Sequence, residues 1–386
     1  MDKTAEYMIS LIRAAISRKS APELTDGTDP ERLLRLAKLH GIAAMLSGCV
    51  KGIDGIPTEI GKKFENEYLK SVLQQTNKDY EAERFFAFCA ENGIDLLILK
   101  GFWLRELYPD PEMRSSCDID IYVDTAHLPR VREYFLAEGF EEHYEGLEHD
   151  YAFLKKPYIN FEIHCSIEHE FGTLNGRSPF ELASPTDRGK NVFRLENEAF
   201  YCHVLGHMAK HFKNGGFGLR GIADLYLFRK RYENELDKDK LSRMLRDGGL
   251  EKFDSVLREL SDVWFGMSEM TDELSELADY VMGSGAFGTV SQGAATRIAK
   301  GRLDGEGAGS GKLKNVIRLA FPPYSVMKRE FEWLSGIGAV ALPFAWIYRA
   351  FRAIFFRRRL YLLKVNATVA ENEIDRAERL YKKLGL

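Results

Sequence analysis

The feature that most constrains this chain is the run Asp118-Ile119-Asp120-Ile121-Tyr122-Val123. Strict alternation of acid and β-branched residue is the period of a strand, not of a helix. It places Asp118 and Asp120 on one face, about 7 Å apart, with Ile119 and Ile121 on the other. Two carboxylates so placed repel each other unless a cation lies between them, and hard divalent ions such as Mg²⁺ or Mn²⁺ take oxygen ligands of this kind. Glu162 stands in the same apolar–acid–apolar setting within Asn160 to Cys165 (NFEIHC), and a third carboxylate there would complete a metal site. His164 shares the strand face of Glu162 and points the same way, as a group backing the ligands.

The segment around this run has a different texture from the rest. Residues 1–92 carry helical periodicity, with a start at Asp29-Pro30-Glu31 and another at Pro57-Thr58-Glu59 that runs to Asn92-Gly93. Between 93 and 195 the pattern switches to short apolar strands. These are Ile94–Leu99, Asp118–Val123 and an expected antiparallel hairpin of Tyr151–Leu154 with Asn160–Cys165, separated by helices at Phe102–Tyr108 and Ala126–Glu138. Helical periodicity returns over 196–282, a glycine-rich connector is expected over 283–311, and 312–386 reads as a basic helical region. The expected fold class is α+β, a small mixed β-sheet core flanked by N-terminal and C-terminal helical domains.

Lys100-Gly101 follows the first of these strands and opens a helix, a turn that presents backbone N–H groups and a point charge to an anion. An anion site beside a carboxylate cluster is what phosphoryl or nucleotidyl transfer requires. Arg114, between the turn and the acidic strand, is a further candidate phosphate contact.

Lys100-Gly101, Arg114 and Asp118-Ile119-Asp120 followed by Glu162 resemble the polymerase-β-type nucleotidyltransferase superfamily. The stretches LLILKGFWLRELYPDPEMRSSCDIDIYV, NFEIHCSI and HMAKHFKNGGFGLRGIADLYLF resemble, more narrowly, a bacterial family labelled uncharacterised nucleotidyltransferase. The likeness spans roughly Phe86 to Phe287. It departs from the superfamily where a Gly-Ser pair is usual, since Gly101 is followed by Phe102 and no serine hydroxyl is at hand. The resemblance implies a metal-dependent enzyme moving an NMP from an NTP, with ATP the expected donor, to an acceptor hydroxyl or phosphate. Asp118, Asp120 and Glu162 would hold the metal, with Glu162 alternatively the base for the acceptor. Lys100, Gly101 and Arg114 would bind the triphosphate. It also implies that the helix bearing His207 and His211 packs on the catalytic core and, with Arg220 and Asp224 beyond it, lines the cleft. Zinc binding by His203, His207 and His211 is disfavoured, because the outer two lie about 12 Å apart along a helix.

Two rival readings stay open, a non-catalytic nucleotide-binding or scaffold protein on the same fold and a metal-dependent glycosyltransferase using the same Asp-x-Asp. The run Gly283 to Val290 matches a kinase glycine loop but lacks the partner motifs, and Gly309-Ser310-Gly311-Lys312 fails as a phosphate loop because Glu306 and Leu313 occupy required positions.

Charge and cysteine usage bound the setting. The net charge of −4 excludes a uniformly basic nucleic-acid binder, and nothing points to sequence-specific nucleic-acid recognition. It hides an asymmetry: Lys312 to Lys364 holds eleven basic residues against Glu330 and Glu332, a local +9 that leaves −13 elsewhere. Within it, residues 339–359 are strongly apolar with interspersed arginines, suited to a buried helix with a basic exit covering the acidic body or to peripheral contact with a membrane or a protein, and not to a span. Five scattered cysteines are expected to be mostly buried thiols, and the absence of a signal-peptide pattern makes the cytoplasm the expected location.

Overall fold

A computed structural model describes residues 1–143, 150–157, 159–167, 177–305, 316–317, 319–331, 333–355 and 357–386. The Gly309–Lys312 run lies outside the described residues. The chain divides into two compact units, the first formed by 1–209 and 218–286, the second by 210–217 and 287–386.

The first unit opens with helices α1 (Lys3–Ile16), α2 (Pro30–Leu39), α3 (Ala43–Val50) and α4 (Thr58–Glu91). The Asp29 carboxylate accepts from the N–H groups of Glu31 and Arg32, with Pro30 at the first helical position, so α2 begins where its sequence signals it. The long helix α4 ends at Asn92, and Gly93 turns the chain with a φ of 64°, a conformation cheap only for glycine.

Seven strands then form one mixed sheet. They are β1 (Leu96–Ile98), β2 (Ile119–Val123), β3 (Glu141–His143), β4 (Asp150–Lys155), β5 (Ile159–His164), β6 (Ala183–Thr186) and β7 (Gly189–Leu195), in the spatial order β3-β4-β5-β2-β1-β7-β6. The β4–β5 hairpin is antiparallel, as expected; β5 runs parallel to β2, and β7 parallel to β1. Strands β3, β6 and β7 are additions to the sequence reading. Residues 183–195 mix Pro185 and four charged residues with the apolar ones, which hides the alternation of β7 although it pairs with the fully buried β1. Helix α5 (Lys100–Leu104) continues as a 3-10 turn, and α6 (Leu128–Ala137) follows β2.

The even-odd alternation of the strands sorts the two faces. Ile119, Ile121, Phe161 and Ile163 are fully buried, and Phe161 meets Phe85 of α4 and Phe135 of α6 at 5.9 and 4.9 Å between ring centres. Asp120, Glu162 and His164 alternate with them and take the other face.

Helices α7 (Asn197–Asn214), α8 (Leu219–Tyr232), α9 (Lys238–Asp247), α10 (Glu251–Phe265) and α11 (Asp272–Ser284) follow. The expected glycine-rich connector is corrected here: it contains helix α12 (Val290–Leu303). The glycines that mimic a kinase loop serve close packing instead. A side chain at Gly218 would put its first carbon 2.4 Å from the Gly285 carbonyl oxygen, and Gly285 itself has a φ of 63°. The cysteines are all free thiols, but only Cys89 and Cys202 are buried, fewer than expected.

His40, which closes α2, ties three helices together. Its Nε2–H donates to the Met282 carbonyl at 3.1 Å while Nδ1 accepts from the Leu219 N–H at 3.4 Å. Burial pushes its pKa down to about 4, opposed by the Met282 bond. Below pH 6.5 the unfolded chain therefore takes up a proton that the native ring refuses, and stability falls progressively as pH drops from 6.5 toward 4. Between pH 7 and pH 5 the wild type should lose about 2 kcal/mol more than His40→Gln in denaturant titrations. Parallel losses in the two proteins would refute a neutral buried His40.

In the second unit α12 packs on α17 (Glu371–Leu384), with Arg302 bridging to Glu371 and to Asp375. Between them in sequence lie α13 (Tyr324–Glu330), α14 (Trp333–Ile337), α15 (Leu342–Phe355) and α16 (Arg357–Thr368). Met327, Phe331, Leu334, Ala341 and Ala345 form a small core of their own there. No helix among the described residues is long and apolar enough to cross a membrane.

Candidate functional site

The site is assembled on the polar face of β2 and β5. Because these strands are parallel and in register, Asp120 lies directly beside Glu162, and Tyr122 beside His164. The His164 Nε2 reaches Asp120 Oδ1 at 3.0 Å. Among the described residues, Asp120, Glu162 and His164 form the one group of three or more potential metal ligands, all within 4.8 Å of one another. Asp118 is half-buried one residue before β2 begins. It stands outside that group, yet its charge is felt by Glu162.

The turn after β1 closes the site from the other side. The Leu99 N–H donates to the Asp120 carbonyl at 2.9 Å, so the β1–α5 turn is pinned to the acidic strand. Lys100, the first residue of α5, then sets its ammonium 2.9 Å from Asp120 Oδ1 and 3.3 Å from Nδ1 of His207 on α7. The structure pairs Lys100 with the acidic strand.

The electrostatics follow from this packing. For Lys100, burial works against the charge, but Asp120 and then Asp118 outweigh it and raise its pKa. For Asp120, burial alone would favour the neutral acid, but Lys100 and the His164 hydrogen bond hold the carboxyl well below the usual range. Asp118 and Glu162 lack such direct help. Burial and then Asp120 push Asp118 up, while burial, Asp118 and Asp120 push Glu162 up to about 7. Three carboxylates are thus crowded together, and two of them are raised in part by their acidic neighbours. An oxygen-rich, electron-rich pocket of this kind fits a hard divalent cation.

Arg114 and Asp224 come together as a pair. Arg114 donates from Nε to Asp224 Oδ1 at 2.7 Å and from Nη2 to Oδ2 at 2.8 Å, and Tyr108 Oη donates to the same carboxylate at 2.8 Å. Both charged side chains are buried. The remaining Nη1 lies 3.4 Å from the Gly101 carbonyl, and a side chain at Gly101 would come within 3.3 Å of that nitrogen. Glycine at 101 therefore leaves room for the bidentate pair beneath the turn. Arg220 donates to the Ser115 carbonyl at 2.6 Å. His211 belongs to the second unit, where its ring sits 6.4 Å from that of Phe287.

Lys78 went unnoticed in the sequence. It is buried on α4 and donates to the Ser116 carbonyl and to its hydroxyl, holding the segment that leads into Asp118. Burial lowers its pKa to about 8, with Asp118 acting the other way. The signal was present: Ser71, Gln75 and Lys78 interrupt an otherwise apolar stripe of Ile60, Phe64, Ala82, Phe85 and Cys89 on the buried face of α4. A lysine at such a position needs a partner.

Residues 26–266 match a family model described as an uncharacterised nucleotidyltransferase, which covers more than half of the chain. No curated protein and no solved structure matches significantly.

Proposed function

The chain belongs to the uncharacterised nucleotidyltransferase family, and on that premise we propose that it is a metal-dependent enzyme of the polymerase-β type. In this reading it transfers an NMP from an NTP, with ATP as donor, to an acceptor hydroxyl or phosphate in the cytoplasm. The observation that carries the reading is the register of β2 and β5, which sets Asp120 beside Glu162 at the turn bearing Lys100.

Asp118, Asp120 and Glu162 would hold Mg²⁺ or Mn²⁺, which when bound supplies charge neutralisation for the triphosphate and the leaving pyrophosphate. His164 fixes the Asp120 carboxylate through its Nε2 contact at 3.0 Å. Lys100 keeps Asp120 ionised and is the cation that the β1–α5 turn offers to the phosphates, alongside the first N–H groups of the helix, which have no intrahelical acceptor. His207 positions Lys100 from α7. The acceptor oxygen attacks the α-phosphorus, the bond from that phosphorus to the bridging oxygen breaks, and pyrophosphate departs. Alternatively to ligating the metal, Glu162, beside Asp120 on the neighbouring strand, would take the acceptor's proton. Arg114 and Asp224 support the turn from below.

The glycosyltransferase alternative loses ground. It calls for a parallel nucleotide-binding domain ahead of the Asp-x-Asp, whereas residues 1–92 form α1–α4 and hold no strand. The test is incubation of the purified protein with NTPs labelled at the α-phosphate, Mg²⁺ and a cell extract. Label should move to an acceptor with stoichiometric release of pyrophosphate, and Glu162→Gln should slow both by at least about a hundredfold. Nucleotide binding in a calorimeter without label transfer or pyrophosphate release would establish the non-catalytic reading instead.

A further inference from the structure

Helix α15 (Leu342–Phe355) carries a face that the second unit leaves uncovered. Ala345 is fully buried in the small core with Leu342 and Trp346 packed against it, so one side of the helix is accounted for. On the other side Phe344, Ile347, Tyr348 and Phe351 follow at i, i+3, i+4 and i+7, the spacing of one continuous stripe. Their relative exposures are 71%, 56%, 52% and 61%, and Val340, just ahead of the helix, reaches 88%. Pro343 and Ala350 are the other exposed residues on this stretch, so the face presents no charge from 343 to 351.

The two arginines within the helix are directed elsewhere. Arg349 donates to Glu330 at 2.9 Å and to the Leu319 carbonyl at 2.7 Å, and Arg352 lies over the Phe331 ring. The stripe is therefore apolar by arrangement, not by composition alone. A contiguous exposed patch rich in large aromatic and aliphatic side chains is unusual on a monomer and marks a contact surface.

The charge of the segment that carries it selects the partner. The segment Lys312–Lys364 has a net +9, its acids are Glu330 and Glu332, and Glu330 is taken by Arg349. Three consecutive arginines, Arg357-Arg358-Arg359, open the next helix. An apolar helix face within a segment of net +9, too short and too interrupted by arginine to span, is suited to lie in the headgroup layer of an anionic bilayer. We propose that α15 docks this protein on the surface of an anionic membrane, with Val340, Phe344, Ile347, Tyr348 and Phe351 entering the headgroup–acyl boundary and the basic residues meeting lipid phosphates. The inference stands apart from the reading of the catalytic site, since no residue of that site takes part.

Flotation of the full-length protein with vesicles tests it. Vesicles with about one third phosphatidylserine should carry the protein, and pure phosphatidylcholine vesicles should carry at least about tenfold less. Raising the salt should release it, as screening shortens the reach of the basic residues. Phe344→Asp with Phe351→Asp should reduce binding at least about tenfold with an unchanged far-UV circular dichroism spectrum, and Val340→Asp, at the most exposed position, should act in the same direction. Equal flotation with both lipids, or none, overturns the proposal. So does a wild-type dimer that Phe344→Asp with Phe351→Asp converts to monomer, because a second copy would then be what covers the face.

Discussion

Asp118→Asn combined with Asp120→Asn should reduce nucleotide transfer by at least about a thousandfold, on the order of 4 kcal/mol of transition-state stabilisation, while leaving the melting temperature close to that of the wild type. The two substitutions act on stability in opposite directions. Asp118 has a pKa raised by burial and then by Asp120, so its charge is less favourable in the fold than in the unfolded chain, and Asn relieves that. Asp120 has a depressed pKa despite burial, through Lys100 and the His164 hydrogen bond, so removing its charge costs stability. Taken singly, Asp118→Asn should melt higher than the wild type and Asp120→Asn lower, at pH 7. The wild type should also gain stability with added Mg²⁺, and the double variant should not, since a ligand stabilises only a fold that binds it. Scanning calorimetry with and without Mg²⁺, beside the pyrophosphate assay, reads all of this. A double variant with unchanged turnover would remove the acidic cluster from the mechanism.

The acidic strand was legible because its chemistry and its period coincide. Asp-Ile-Asp-Ile states both the secondary structure and which side chains share a face, and Phe-Glu-Ile-His does the same for β5. What the sequence could not state was the pairing. That β2 and β5 run parallel and in register, bringing Asp120 beside Glu162, depends on β4 occupying the next position in the sheet, a tertiary fact. Cations were harder to assign than acids for a related reason. Lys100, Arg114, Arg220 and Lys78 are long side chains whose partners are decided by packing, and each holds a backbone carbonyl or a carboxylate from elsewhere in the sequence. Helix α12 was missed because Gly293 and Gly301 dilute its propensity, although Thr289 caps it at Gln292 and its apolar residues meet α17.

Arg114 carries two readings, a phosphate ligand and a buried brace, and stability separates them. A phosphate ligand on the cleft wall could be replaced with loss of activity and little loss of stability. A buried arginine in a two-bond pair with Asp224 could not, because its removal leaves a carboxylate in the interior with Tyr108 as its remaining donor. Breaking a buried pair from one side costs about 3–5 kcal/mol, mostly the penalty of the stranded charge. Arg114→Met should therefore destabilise the protein by about that amount in urea titrations, and Arg114→Lys should recover only part, since an ammonium cannot reproduce the two parallel bonds. Arg114→Met with Asp224→Asn should be clearly more stable than Arg114→Met alone, because the second change removes the charge that the first left unpaired. A positive coupling of at least about 2 kcal/mol in that cycle would mark the pair as the brace beneath Gly101. Near-zero coupling with intact stability and lost transfer would return Arg114 to the triphosphate.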